Sequence, residues 1–304
     1  MPRPPASVVR FYSRSAVQAV RTAAYGRLGR DQTYRVGQFD VTLPAGHRLP
    51  WFQRLFPDYD RYAAGLLSDL CKNSTSPLLI DVGANVGDTS LLALDAVHAL
   101  SVVAVEGDPR FVSYLRKNTE QVADRVEIVD KFVAVESLEG FSYHGGQSTG
   151  GFVATDTAQP VTSLVSVPEL LRLAEGHDLV IWKSDTDGLD MTILDAEWSA
   201  VASTCDVIWF ELDPFLDTED GVRLPHLAAQ IEASDRVVIV FDNVGRRMLT
   251  VPAAGVADVL VGLSRWLGEP SIPGETSYFD VWAISPRLAH RSDQHPTGWS
   301  LGPS

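Results

Sequence analysis

The stretch "LLIDVGANVGDTSLLAL", Leu78–Leu94, constrains the fold of this chain more than any other. An apolar run ends at Asp81, crosses two glycines and an asparagine, and resumes with a helical pattern. A strand with so little polar alternation needs both faces covered, the environment of a parallel sheet. Gly83 and Gly87 lack a Cβ, so the backbone can turn sharply and a ligand can approach it closely. Open α/β sheets bind their ligands at such turns, at the carboxyl ends of the strands.

The same alternation continues along the chain. Strands are predicted at 77–82, 101–106, 125–135, 179–184, 206–212, 236–242 and 278–285, with helical patterns such as "DPRFVSYLRKNTEQV" and "LDMTILDAEWSAVAS" between them. Seven strands with intervening helices predict a doubly wound α/β domain. The long Gly/Pro-bearing interval before the last strand, which contains "RRMLTV", lets that strand enter antiparallel. Residues 31–46 read as a small hairpin. The expected organisation is a basic helix, hairpin and aromatic helical lid over 1–70, a ligand-binding domain over 71–286, and a disordered polar tail over 287–304.

Composition narrows the function classes. The 304 residues carry a net charge of −14, which opposes binding to nucleic acid. Residues 1–30 run the other way, with six arginines and no acid. That segment reads as a packed or frayed helix, with peripheral contact to a membrane surface as the alternative. Cys71 and Cys205 share no metal-binding or disulfide spacing, so both are expected as buried free thiols in a reducing, cytoplasmic compartment.

The charge of the turn then discriminates between ligands. A dinucleotide brings an anionic pyrophosphate and normally meets G-x-G-x-x-G, whereas here the spacing is G-x-x-x-G behind Asp81. A carboxylate at that turn suits a ligand with an ammonium and a sulfonium, S-adenosylmethionine. Glu106 ends the second strand, where an acid can accept hydrogen bonds from both ribose hydroxyls. Asp81, Gly83, Asn85, Gly87 and Glu106 are therefore the expected cofactor residues, with Asp130 after the third strand near the adenine or on the solvated rim.

Several blocks in order carry a resemblance: "HRLPWFQRLFPDYD", "IDVGANVGDTSLLAL", "VVAVEGDPRFVSYLRKN", "LVIWKSDTDGLDMTILDAEW", "VIWFELDP" and "FDNVGRR". Over roughly residues 47–285 the chain resembles the FkbM family of S-adenosylmethionine-dependent methyltransferases. Ser184 stands where that family usually has isoleucine. The resemblance implies a Rossmann-like class I methyltransferase sheet and O-methylation of a hydroxyl on a glycan, glycolipid or secondary metabolite.

Methyl transfer to a hydroxyl needs alignment and a group that removes the proton. Lys183 and Asp185 lie two apart at the end of the fourth strand, so they point the same way, and the cation keeps Asp185 ready to accept a proton. The competing reading is an ion pair that only locks the strand end. Asp187 reads as a helix cap and Asp213-Pro214 as a turn. Glu211 and Asp242-Asn243 close later strands, and acids there could hold Mg²⁺, although a metal-independent reaction is the favoured reading. The segment "SYHGGQSTGGF" reads as a loop that offers His144, Gln147 and Ser148 to an acceptor, with His144 a second candidate base. The aromatics of "LPWFQRLFPDYDRY" either pack a helix over the sheet or contact the acceptor. Two other functions fit the fold: a nicotinamide-dependent oxidoreductase, and a non-catalytic cofactor-binding scaffold.

Overall fold

The structure is a computed structural model that describes residues 26, 28–56, 61–134, 141–145, 150–154, 163–186, 188–212, 223–268 and 278–292. The basic segment before residue 26, Tyr59, Gln147, Ser148, Asp187, Asp213-Pro214 and the tail from 293 lie outside the described residues.

A hairpin opens the chain, β1 (Gln32–Val36) and β2 (Phe39–Leu43), followed by helices α1 (Leu49–Leu55) and α2 (Arg61–Cys71). The sheet then builds from β3 (Pro77–Val82), α3 (Asp88–Ala96), β4 (Ser101–Val105), α4 (Pro109–Thr119) and β5 (Val126–Val129). Short strands follow: β6 (Phe132–Val133), β7 (Phe141–Gly145), β8 (Gly150–Ala154) and β9 (Leu164–Val165). The second half contains α5 (Val167–Arg172), β10 (Leu179–Ser184), α6 (Asp190–Thr204), β11 (Val207–Leu212), α7 (Arg223–Ala233), β12 (Val237–Asp242), β13 (Arg247–Val251), α8 (Val256–Leu267), β14 (Phe279–Ile284) and α9 (Ala289–Ser292).

The central sheet runs β13-β12-β14-β11-β10-β3-β4-β5. It is the expected doubly wound, Rossmann-like sheet, with β14 antiparallel to both neighbours. An eighth strand, β13, extends it as the second arm of a hairpin with β12. The strand order reverses between β3 and β10, the switch point at which such sheets open a crevice.

Alternation along the strands divides the core into two layers. Leu78, Ile80, Val82, Trp182 and Phe210 face α5 to α8. Leu79, Ile181, Trp209 and Trp282 face the hairpin, α2, α3 and α4. The hairpin and α2 thus share one apolar layer with the sheet. Buried Asn118 ties them to the glycine turn: its amide oxygen accepts the Thr42 N–H at 2.8 Å and its NH₂ donates to the Val86 carbonyl at 2.8 Å.

Local signals account for the helix starts. Asp108 caps α4 by accepting the Arg110 N–H, with Pro109 in the first turn, and Ser166 and Glu169 form a capping box on α5. At the other end of α6, buried Arg236 donates to the carbonyls of Ala202, Cys205, Asp206 and Ala283 at 2.6–3.3 Å. It therefore satisfies helix-end acceptors that have no partner within the helix.

Three expectations are corrected. The run 125–135 breaks at Asp130 and Lys131, because Phe132 and Val133 leave β5 to pair with β9. The glycine-rich stretch 142–152 is not a loop, since β7 and β8 form an antiparallel hairpin with His144 opposite Gly151. The tail does not fray at 287, because Leu288 is buried and α9 follows. In α1 the buried residues are Leu49, Pro50 and Leu55, while Trp51 and Phe52 are half-buried in an edge-on pair. Cys71 and Cys205 are buried and free, and no helix among the described residues is long and apolar enough to cross a membrane.

Replacing Arg236 with methionine should lower the unfolding free energy by about 3 kcal/mol, because several buried carbonyls lose a charged donor. Urea unfolding followed by circular dichroism measures it; a loss under about 0.5 kcal/mol, the range of ordinary surface changes, would contradict this role.

Candidate active site

The crevice at the switch point starts from the turn after β3. Gly83 has φ +78° and Asn85 φ +51°, and the N–H groups of Gly83 and Ala84 both donate to the Val105 carbonyl at 2.9 Å. Gly83 admits no side chain, since a Cβ there would lie 1.9 Å from the Asp185 carbonyl oxygen. Gly87 has φ +86°, and a Cβ would press on Leu115, so it shapes the turn from behind.

Glu106 braces this turn from the end of β4. One carboxylate oxygen accepts the Asn85 N–H at 2.8 Å and the other the Asp108 N–H at 2.7 Å. Each oxygen keeps a further lone pair for a ligand. Burial raises the Glu106 pKa, and the two backbone donors counter part of that shift.

Gly83, Asn85, Glu106, Gly107, Phe132 and Asp185 line a cleft of about 560 Å³. Phe132 packs on Gly107, where a Cβ would come within 2.2 Å of the ring. Lys131 reaches the same cleft. Asp130 does not line it; its exposed carboxylate pairs with Arg116 at 2.8 Å. The β6–β9 pairing that turns Phe132 inward therefore takes over the position expected of Asp130.

Asp81 and Lys183 stand behind the cleft wall. They are direct neighbours across β3 and β10, and Lys183 Nζ lies 2.9 Å from Asp81 Oδ1. Asp81 is fully buried, and its second oxygen accepts the Ser90 hydroxyl at 2.6 Å. Asp81 thus meets Lys183 rather than the cleft. The same ammonium lies 3.7 Å from the half-exposed Asp185 carboxylate and 5.7 Å from the Trp209 ring centroid. Burial works against the ammonium, but Asp81 and Asp185 outweigh it and raise the Lys183 pKa above its usual range.

More acids surround this pair. Asp190 is buried, accepts from the Thr186 N–H and hydroxyl, and is pushed up to about 6 by burial. Asp88, in the first turn of α3, is also raised to about 6 by burial. Asp280 accepts the Trp209 indole N–H at 3.1 Å and is pushed up to about 7 by burial. Asp242 turns away from any ligand role, since its Oδ1 accepts the N–H groups of Val244 and Arg246. Among the described residues no group of three or more His, Cys, Asp or Glu side chains could hold a metal ion.

Sequence reasoning did not single out Phe132, Lys131 or His47. His47 is buried after the hairpin, accepts the Leu49 N–H on Nδ1 at 3.3 Å and hydrogen-bonds the Asn85 side chain. Burial holds its pKa down at about 4, so the ring is neutral. An imidazole placed immediately before a helix that starts Leu-Pro was the available signal.

No family model and no curated protein matches the chain. Solved structures match in outline. A human methyltransferase 10 domain containing protein is 13% identical, covering 88% of this chain and 96% of its own, at TM-score 0.43. An O-methyltransferase from Bacillus cereus in complex with SAH is 12% identical over 73% and 80%, at 0.39. A precorrin-6y C5,15-methyltransferase from Geobacter metallireducens GS-15 is 16% identical over 73% and 86%, at 0.39. Likeness at this level carries no inference about activity.

Lys183→Met alone should cost about 3–5 kcal/mol, because it strands a buried carboxylate. Combined with Asp81→Asn it should cost clearly less than the two single losses summed. Chemical denaturation of the three variants tests this; strict additivity would mean that the pair is not coupled.

Proposed function

We propose that this chain is an S-adenosylmethionine-dependent methyltransferase of FkbM type that methylates a hydroxyl on an uncharged or amine-bearing sugar acceptor, free or in a glycolipid. The observation that carries the reading is Glu106. It is braced by two backbone donors at the end of β4, with a lone pair on each oxygen still open, in a cleft that also contains Asp185.

The cleft's charge favours a cationic nucleotide over a dinucleotide. A pyrophosphate would meet Glu106 and Asp185, and the start of α3 already carries its own acid, Asp88. Lys183 offers no relief, because its ammonium is buried against Asp81. The same acids, with a net charge of −14, disfavour a polyanionic acceptor such as nucleic acid.

In this reading Glu106 holds the ribose hydroxyls, Phe132 on Gly107 forms a wall for the adenine, and the turn 83–87 receives the amino-acid end. Asp81 acts through Lys183, which fixes Asp185 at the rim. Asp185 accepts the acceptor's hydroxyl proton as that oxygen gains the methyl group. The bound S-adenosylmethionine supplies an electrophilic methyl and leaves as a neutral thioether. No metal is needed. His144 remains a candidate acceptor contact from the β7–β8 hairpin, and the arginine-rich start of the chain a candidate surface for membrane-borne acceptors.

Calorimetric titration of the full chain with S-adenosylmethionine and with NAD tests the cofactor. S-adenosylmethionine should bind, and Glu106→Ala should weaken it by at least tenfold with folding checked by circular dichroism, the scale of one lost charged hydrogen bond. Binding of NAD alone would overturn the reading. Across a glycoside panel, Asp185→Asn should keep cofactor affinity while turnover falls by about 10²–10⁴-fold, the usual contribution of a general base.

A further inference from the structure

Asp185 has a neighbour that the proposed reaction has not used. Ser184 in β10 is opposite Phe210 in β11, and one residue further on Asp185 and Glu211 reach the ends of the two strands together. Their side chains are hydrogen-bonded to each other. Glu211 is in turn directly opposite Asp280 across the antiparallel pair of β11 and β14. Alternation puts Glu211 and Asp280 on the sheet face that carries Trp209 and Trp282, whose rings stack at 4.4 Å.

Two ionised carboxylates cannot hydrogen-bond, because both are acceptors only. The contact between Asp185 and Glu211 therefore contains a proton. We infer that Glu211 is a positioning residue for Asp185: the two carboxyl groups share one proton across the ends of β10 and β11, with the proton held mainly on Glu211. Burial decides which partner holds it. Asp185 is half exposed to the cleft and 3.7 Å from the Lys183 ammonium, whereas Glu211 sits deeper, against Asp190 of α6 and Asp280 of β14.

The groups facing Glu211 explain the asymmetry. Asp185, Asp190 and Asp280 all disfavour its charge, on top of burial, and its pKa lies well above the usual carboxylate range. Lys183 cannot offset them, since its closest partner is Asp81. Asp242 of β12 adds its charge from beyond Asp280. A neutral Glu211 donates to one Asp185 oxygen and fixes the carboxylate, so the other oxygen is aimed at the acceptor. When the acceptor's proton arrives on Asp185, the pair holds two protons and no charge, and loses one to solvent before the next cycle.

This inference gives the base of the proposed reaction its orientation, but its test needs neither cofactor nor acceptor. In full-length protein labelled with ¹³C at the glutamate side-chain carboxyls, one resonance assigned by its loss in Glu211→Gln should still be protonated at pH 7 and titrate above it. In Asp185→Asn the same resonance should titrate at lower pH, because the neighbouring charge is gone. If Glu211 titrates in the ordinary carboxylate range, or if Asp185→Asn leaves its titration unchanged, the inference fails.

Stability supplies a second readout with a definite sign. A proton bound in the folded state and not in the unfolded one stabilises fully below the unfolded pKa, and that stability is lost as pH rises through the folded pKa. The wild-type melting temperature should therefore fall more steeply than that of Glu211→Gln as pH rises from neutral to alkaline. Parallel curves would overturn the inference. Failure of S-adenosylmethionine to bind, with the shared proton intact, would instead remove only the methyltransferase reading.

Discussion

The architecture of the cleft depends on one buried ammonium. Lys183 Nζ is held between Asp81, deep in the sheet, and Asp185, at the rim. An isolated ammonium in that position would lose its proton, because burial disfavours the charged form. Asp81 prevents this from the neighbouring strand, and Ser90 occupies the oxygen that Lys183 does not. The charge is therefore confined to fixed geometry at the switch point between β3 and β10. Asp185 inherits that geometry: its N–H pairs with the Val82 carbonyl and its own carbonyl closes over Gly83. Buried ion pairs are often worth little to stability compared with apolar replacements. Retaining one at this point is more readily understood as fixing where a carboxylate sits.

The alternation of strand faces explains why the polar groups gather on one side. On the face toward α5 to α8, β3, β10 and β11 present Ile80, Val82, Trp182 and Phe210, a continuous apolar layer. On the opposite face the same strands end in Asp81, Lys183 and Glu211 above Leu79, Ile181 and Trp209. That face carries the hairpin and the helices preceding β3, so the first part of the chain roofs the side on which the chemistry is proposed. Asn118 joins that roof to the glycine turn by hydrogen bonds to Thr42 and Val86. A displacement of the hairpin would therefore be felt in the turn.

Much of this was readable from local pattern. Apolar runs with helical spacing between them located the strands, Gly83 and Gly87 located the turn, and Glu106 was found because it ends the second strand. The hairpin at 31–46 and the antiparallel last strand were also legible, since turn residues and loop length govern them. What was not legible depends on contacts between distant segments. Lys183 was paired in sequence with Asp185, two residues away, but its closer partner is Asp81, 102 positions distant. Only the strand order brings those two together. Asp130 was expected near the ligand because an unbroken third strand was assumed; pairing of Phe132 with Leu164 ends that strand and substitutes an aromatic ring and Lys131. Glu211 could be identified as a strand end, but not as the partner of Asp185, because the register of β10 against β11 is a tertiary fact.

The acidity of the cleft bears on the direction of the proposed reaction as well as on binding. Glu106 and Asp185 face the cleft, and the nearest cation, Lys183, is neutralised from behind by Asp81. A sulfonium bound there is attracted by uncompensated negative charge in a partly desolvated site, where such attraction is stronger than in water. Transfer of the methyl group removes the cation. The product nucleotide keeps its hydrogen bonds to Glu106 but loses the long-range attraction, so its hold on the cleft weakens at the moment the transfer is complete. A neutral or basic wall would have done the opposite. Asp81 is thus positioned to serve catalysis without touching a ligand: by neutralising Lys183, it leaves the cleft wall acidic.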